Sequence, residues 1–233
     1  HQLGVTYLDG TSRLLTKAPY EHRRPAASPD GKTVVYYGYP DGSVHRLRAQ
    51  IFALDLRGDT EERQVTEEDY LIDSIPLLFD PLDAGGGRVT ALTYVKKEGA
   101  FLQLPQCFDL ETGQSAPLLE AECPSEEINN LVVGRNACGR ETSPYVFSED
   151  GKFFYYTALW KGSQRLYAYD RIEKAFACLS REGESIQAIS AVQNDCLVYL
   201  KGTLSRPAEL YAGRLPMPEK ALAKNVPQEP AKG

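Results

Sequence analysis

The 233-residue chain has one Met, one Trp and only three His, at positions 1, 22 and 45. So few histidines leave little scope for an imidazole base, or for a zinc site built from clustered Cys and His. The five cysteines, Cys107, Cys123, Cys138, Cys178 and Cys196, are odd in number, widely spaced and without a Cys-x-x-Cys pair. That pattern speaks against a disulfide framework and for a reducing, cytoplasmic compartment, with Cys178 and Cys196 as small buried hydrophobes. No apolar run approaches the ~20 residues of a membrane helix, so no membrane contact is expected. Lys and Arg number 26 against 32 Asp and Glu, a net charge of -6, and they do not cluster. A nucleic-acid footprint is therefore not expected either.

What is abundant points to strands. The chain is 42% hydrophobic and 25% charged, with 14 Tyr, 8 Phe, 19 Gly and 15 Pro. This is globular composition, with aromatic and β-branched residues for strands and Gly and Pro for turns. The chain also repeats itself. Pro25–Lys32 (Pro-Ala-Ala-Ser-Pro-Asp-Gly-Lys) leads into Thr33-Val34-Val35-Tyr36-Tyr37, and Pro144–Lys152 leads into Phe153-Phe154-Tyr155-Tyr156-Thr157. Each reads as two strands joined by Asp-Gly, which predicts a two-residue hairpin turn. A degraded copy runs from Phe79-Asp80-Pro81 through Gly85-Gly86-Gly87 into Val89–Tyr94. A fourth runs from Ile189–Val192 through Asn194-Asp195 into Cys196–Leu200.

A second landmark follows each hairpin: Phe52–Leu56, Cys107–Leu110, Tyr167–Asp170 and Leu210–Leu215, with an orphan copy at Tyr7-Leu8-Asp9-Gly10. A turn and a short closing strand come next, at Arg13–Thr16, Arg63–Thr66, Pro117–Leu119 and Phe176–Leu179. The landmark aspartates at 9, 55, 109 and 170 are 46, 54 and 61 residues apart. Four strands per unit at this spacing is the pattern of β-propeller blades, each of which needs its neighbours to bury both faces. A β-sandwich has no reason to repeat one four-strand order. The expected fold is therefore all-β: a β-propeller of about four four-stranded blades plus part of another, cut short. The partial propeller spans 3–215, with blades near 3–16 (partial), 25–66, 76–120, 143–180 and 187–215. Residues 216–233 read as a polar Pro/Lys/Ala-rich tail or linker, and the start at His1 reads as trimmed.

The Ser28–Lys32 hairpin, the aspartate-ended third strands and the closing strands at 13–16 and 63–66 resemble TolB-type and prolyl-oligopeptidase-type propellers. The segment Pro207-Ala208-Glu209-Leu210-Tyr211 after the strand 196–200 is similar to the last blades of acylaminoacyl-peptidase-like and dipeptidyl-peptidase-like serine peptidases. The resemblance covers roughly 3–215. It implies a non-catalytic propeller that gates oligopeptide access to an α/β-hydrolase domain of the same parent protein. The implied partners are that domain, peptide substrates indirectly, and a second copy through unpaired strand edges. The alternative is a TolB- or WD-repeat-like interaction scaffold.

The chemistry of such a hydrolase is not in this sequence. It needs Gly-x-Ser-x-Gly at a strand-to-helix elbow, and Gly113-Gln114-Ser115-Ala116 and Gly162-Ser163-Gln164 read as turns. No catalytic residue, cofactor or metal ligand is assigned. Acidic groups at 67–69 with Asp73, and Asp80 with Asp83, read as solvated loops, and 85–87 as a hairpin tip. The candidate interface residues are Arg23 and Arg24, expected in a loop between blades, and Trp160 and Arg165, expected at a hairpin tip.

Overall fold

The computed structural model describes residues 2–39, 49–57, 61–67, 72–97, 100–119, 145–160, 163–193, 196–203 and 205–214. These residues form seventeen strands and no α-helix. The chain divides into two compact units, His1–Leu118 and Leu119–Gly233.

In the first unit, β1 (Gly4–Thr6) pairs with β2 (Ser12–Leu14). Next come two four-stranded antiparallel sheets in simple sequence order. One is β3 (His22–Ala27), β4 (Thr33–Gly38), β5 (Gln50–Asp55) and β6 (Arg63–Gln64). The other is β7 (Ile72–Phe79), β8 (Arg88–Lys97), β9 (Ala100–Asp109) and β10 (Ser115–Pro117). The second unit holds β11 (Tyr145–Phe147), β12 (Phe153–Trp160), β13 (Ser163–Asp170) and β14 (Ala175–Cys178). A three-stranded sheet follows: β15 (Ser185–Gln193), β16 (Cys196–Thr203) and β17 (Arg206–Arg214). These are antiparallel propeller blades, as the repeats predict. Among the described residues the last blade has three strands rather than four. The segment 216–233 lies outside the described residues.

Stacking of blades explains why the middle strands read as unbroken apolar runs. Along β4, Val34 and Tyr36 join Leu15, Phe52 and Leu54 in one core, against which Leu3, Val5 and Tyr20 pack. The intervening Val35 and Tyr37 face the opposite way, with Ile51 and Ala53, onto Ile72, Leu77, Val89, Ala91 and Phe108 of the next blade. Side chains alternate along a strand, so a strand covered on both faces must be apolar at every position. In the second unit Val146, Tyr155, Leu166 and Ala168 meet Ile186, Ile189 and Leu197 in the same manner. The other face of that blade carries a row of rings: Tyr145 and Phe154 are 5.3 Å apart, Phe154 and Tyr156 5.8 Å, Tyr156 and Tyr167 5.5 Å. Each fully buried ring contributes on the order of 1.5–3 kcal/mol.

The Asp-Gly hairpins are longer than the two-residue turn expected from the sequence. Ser28 N–H donates to the Thr33 carbonyl (2.8 Å), leaving a four-residue loop, 29–32, in which only Gly31 has positive φ (70°). Ser28 Oγ donates to Asp30 Oδ1 (2.7 Å) and accepts from Thr33 N–H (2.9 Å), while Asp30 Oδ1 also accepts from Lys32 N–H (3.1 Å). The Ser148–Phe153 loop repeats every one of these bonds, at 2.6, 2.9 and 3.0 Å. Glu149 stands in the second loop where Pro29 stands in the first, so the shared Ser, Asp and Gly rather than the proline go with this form.

The landmark aspartates end the third strands and cap the following turn. Asp55 Oδ1 accepts from Arg57 N–H; Asp109 Oδ1 accepts from Glu111 and Thr112; Asp170 Oδ1 accepts from Ile172 and Glu173. Asp9 differs. It lies inside the turn beyond β1, where Oδ1 accepts from Thr11 N–H (2.9 Å), so the orphan landmark is displaced from the others.

Candidate functional site

Two repeated constructions and one unique one concentrate polar groups among the described residues. The first is a clasp at the end of each closing strand. Leu3 N–H donates to Thr16 Oγ1 (2.9 Å), Ile51 N–H to Thr66 Oγ1 (2.9 Å), and Leu166 N–H to Ser180 Oγ (3.1 Å). In each case the residue before the hydroxyl returns a bond to the same strand: Leu15 to the Leu3 carbonyl, Val65 to Ile51, Leu179 to Leu166. In the β7–β10 blade Leu118 donates to the Pro105 carbonyl (3.1 Å). There the third-strand residue is proline, which has no N–H, and the residue in the hydroxyl position is Leu119. Donor and acceptor are lost together.

The second construction is a cleft at one end of each of two neighbouring blades. One, of about 610 Å³, is lined by Thr33, Asp55 and the segment Glu61–Gln64. The other, of about 340 Å³, is lined by Arg88, Cys107, Asp109 and Thr112–Ala116 excluding Gly113. Both lie where the second strand begins, the third ends and the fourth begins.

The unique construction is Glu62, beside the larger cleft. Its Oε1 accepts from Lys17 N–H (2.8 Å) and Ala18 N–H (3.3 Å). Its Oε2 accepts from the Tyr36 hydroxyl (3.0 Å) and the Tyr20 hydroxyl (3.3 Å) and lies 3.2 Å from His22 Nε2. His22 is buried, its ring centroid 4.8 Å from that of Tyr20 and 5.3 Å from that of Tyr36. Burial pushes the Tyr20 hydroxyl up to about 12, with the Glu62 charge adding to it, and drives Tyr36 higher still for the same reasons. Burial alone would raise Glu62, but the Lys17 and Ala18 amides and the bonds from Tyr36 and His22 outweigh it and hold the carboxyl below its ordinary value. Five donors saturate the roughly four lone-pair sites of a carboxylate. Glu62 is thus a cross-link between the 17–20 segment, β3 and β4, with no free lone pair to act as a base. Nothing in the run Glu61-Glu62-Arg63 distinguishes it in sequence, since its partners come from 26 to 45 residues away.

The candidate interface residues are placed as follows. Arg23 and Arg24 lie in β3, not in a loop, because Glu62 draws His22 into the core and starts the strand there. A bulge between Arg23 and Ala26 puts Arg24 at φ 54° ahead of Pro25, and both arginines are exposed. Arg23 Nη2 donates to Glu21 (2.8 Å), and its guanidinium lies 5.7 Å from the Tyr39 ring centroid. Trp160 ends β12 opposite Ser163, and residues 161–162, expected in the hairpin tip, lie outside the described residues. Arg165 is not at that tip but inside β13, opposite Ala158, because its Nη2 holds the Ser180 carbonyl (3.0 Å) at the clasp. Arg23 and Arg24 are thus neighbours on β3 of the first unit, and Arg165 belongs to β13 of the second. Asp80 and Asp83 each cap their own turn, on Leu82 and Gly85 N–H, and Gly86, in the tip of that hairpin, has φ 65°.

No protein-family model matches the chain, and no curated protein matches it in sequence. Solved structures do. A puromycin-hydrolysing peptidase from Mycobacterium tuberculosis superposes with a TM-score of 0.63 at 16% identity, over 87% of this chain and 29% of that one. TolB from Acinetobacter baumannii gives 0.54 at 16%, over 92% and 46%. An oligogalacturonate lyase in complex with manganese gives 0.63 at 15%, over 93% and 55%. The chain thus spans well under two thirds of each of these proteins. The likeness establishes the β-propeller fold, and the resemblance to TolB-type and peptidase propellers read from the sequence is borne out at that level.

Proposed function

We propose that this chain is the non-catalytic propeller part of a serine peptidase of the prolyl-oligopeptidase kind. In that role it limits oligopeptide access to an α/β-hydrolase domain of the same parent protein and packs against it. The observation that carries the reading is how the superposition on the puromycin-hydrolysing peptidase is distributed: nearly all of this chain falls on less than a third of that one. A propeller suits the task because each blade is held on both faces, so its rims stay rigid while they present residues to a neighbouring domain. His22 also supports a non-catalytic role, since its ring is buried between two tyrosines with Nε2 on Glu62. Arg23 and Arg24, exposed side by side on β3, are the groups we assign to an acidic surface of the partner domain, with Trp160 a second anchor. The odd number and wide spacing of the five cysteines support a cytoplasmic location. No helix of the described residues is long and apolar enough to cross a membrane.

The test is to isolate the native protein from its source, map its peptides and treat it with a fluorophosphonate. The expected result is a polypeptide longer than these 233 residues, labelled at a serine outside them, that cleaves short peptides faster than folded proteins. A native protein that takes no label overturns the peptidase reading. The superposition on TolB, a propeller protein, favours an interaction scaffold as the second reading in that event.

A further inference from the structure

The clasps assign a role to every strand of the first unit, and one role is left without its neighbour. Leu3, Leu15 and Thr16 reproduce the bonds of Ile51, Val65 and Thr66, so β1 is a third strand and β2 a fourth. In the four-stranded blades the third strand is bonded on both sides, as β5 is by β4 and β6, and β13 by β12 and β14. Among the described residues β1 is bonded on one side only, by β2. Leu3 and Tyr7 direct their main-chain groups to β2, through Leu15 N–H to the Leu3 carbonyl and Tyr7 N–H to the Thr11 carbonyl. Main-chain direction alternates along a strand, so Gly4 and Thr6 turn theirs to the open side. Their counterparts in β5 are Phe52 and Leu54, which are buried and pair with Tyr36 and Val34 of the second strand. Gly4 and Thr6 are exposed, and Leu14 beside them is 67% exposed.

The edge of β1 also lacks protection. Gly4-Val5-Thr6 carries no charge and no proline, whereas β3, likewise the outer strand of its sheet, has Arg23, Arg24, Pro25 and a bulge. We propose that the open edge of β1 docks an antiparallel β-hairpin of the blade type, whose second strand takes the Gly4 and Thr6 main-chain groups. That hairpin belongs to a part of the parent protein outside these 233 residues. A second copy of the chain cannot supply it from its described strands: β4, β8, β12 and β16, the four second strands, are each already paired on both edges. β17 cannot supply it either, because it fills the third-strand role in its own sheet.

This rests on the reading that the chain is part of a larger protein, but not on that protein being a peptidase. Hydrogen exchange compares the native protein with the isolated 233-residue chain. Gly4 and Thr6 amides should exchange about 100-fold more slowly in the native protein, with Leu15 and Tyr7, bonded within the β1–β2 pair, alike in both. Equal exchange at Gly4 and Thr6 in the two forms overturns the proposal, whatever the fluorophosphonate result. So does protection in the isolated chain that grows with concentration, which would mean pairing between copies. As a second measurement, Thr6→Pro removes the outward N–H. It should lower the melting temperature of the native protein more than that of the isolated chain, and an equal loss in both overturns the proposal.

Discussion

Ile51 lies in a buried third strand, and its amide must find a partner there or lose the free energy of desolvation. Thr66 supplies one with a hydroxyl that is itself 2% exposed and lies 2.7 Å from the Gln50 amide. Thr66→Val keeps the shape and removes the acceptor, so the chain should lose about 1–3 kcal/mol, read as a lower denaturant midpoint at unchanged slope. The opposite change, Leu119→Thr, should gain nothing, because Pro105 has no N–H to offer a new hydroxyl. A Leu119→Thr variant stabilised as much as Thr66→Val is destabilised would refute the clasp as the reason for the pattern. The hydroxyl ends of the closing strands were visible in the sequence at Thr16 and Thr66. Their partners were not, because Leu3, Ile51 and Leu166 share no polar character and sit 13 to 15 residues upstream.

Within an element, what repeats was legible and what occurs once was not. Ser28-Pro29-Asp30-Gly31-Lys32 marked a hairpin from composition alone, but its loop length depended on Ser28 Oγ bridging Asp30 and Thr33, a bond that Asp-Gly propensity does not contain. Gly113 is a similar case. It sits in the turn from β9 to β10 with φ 72°, and a Cβ there would run into the Val65 carbonyl oxygen of the adjacent blade. Gly113→Ala therefore meets two obstacles, a left-handed backbone costing roughly 1–2 kcal/mol and a main-chain atom that must shift. The expected result is a loss of about 2 kcal/mol or more in chemical unfolding. Gly183 offers the control: at φ 82° nothing lies within 4 Å of its added Cβ, so Gly183→Ala should show the backbone cost alone. If the two variants lose the same amount, the close approach of the blades at Gly113 is not tight.

For the whole molecule, the spacing of aspartates was enough to identify blades, since every blade must bury both faces and so repeats one apolar pattern. It could not identify strand roles at the ends of the chain, where Asp9 sits in a turn rather than at a strand end and only the Thr16 clasp reveals β1 as a third strand. Nor could it show that many separate carboxylates are tuned in one direction. Glu62 is held below its ordinary value by the Lys17 and Ala18 amides against the pull of burial, Asp150 by Ser148, Asp109 by Thr112, and Glu184, again against burial, by Arg181 and Lys201. A carboxyl whose folded value lies below its unfolded value stabilises the fold at any pH above the unfolded value, and that contribution disappears as pH falls through the folded value. The melting temperature should therefore be level near neutrality and fall once pH drops below about 4.3, where unfolded Glu and Asp take up protons. Glu62→Gln should flatten the upper part of that fall while lowering the plateau, because the amide cannot accept from all five donors with its one oxygen. An unchanged acid profile in Glu62→Gln would assign the pH dependence to the turn-capping aspartates instead.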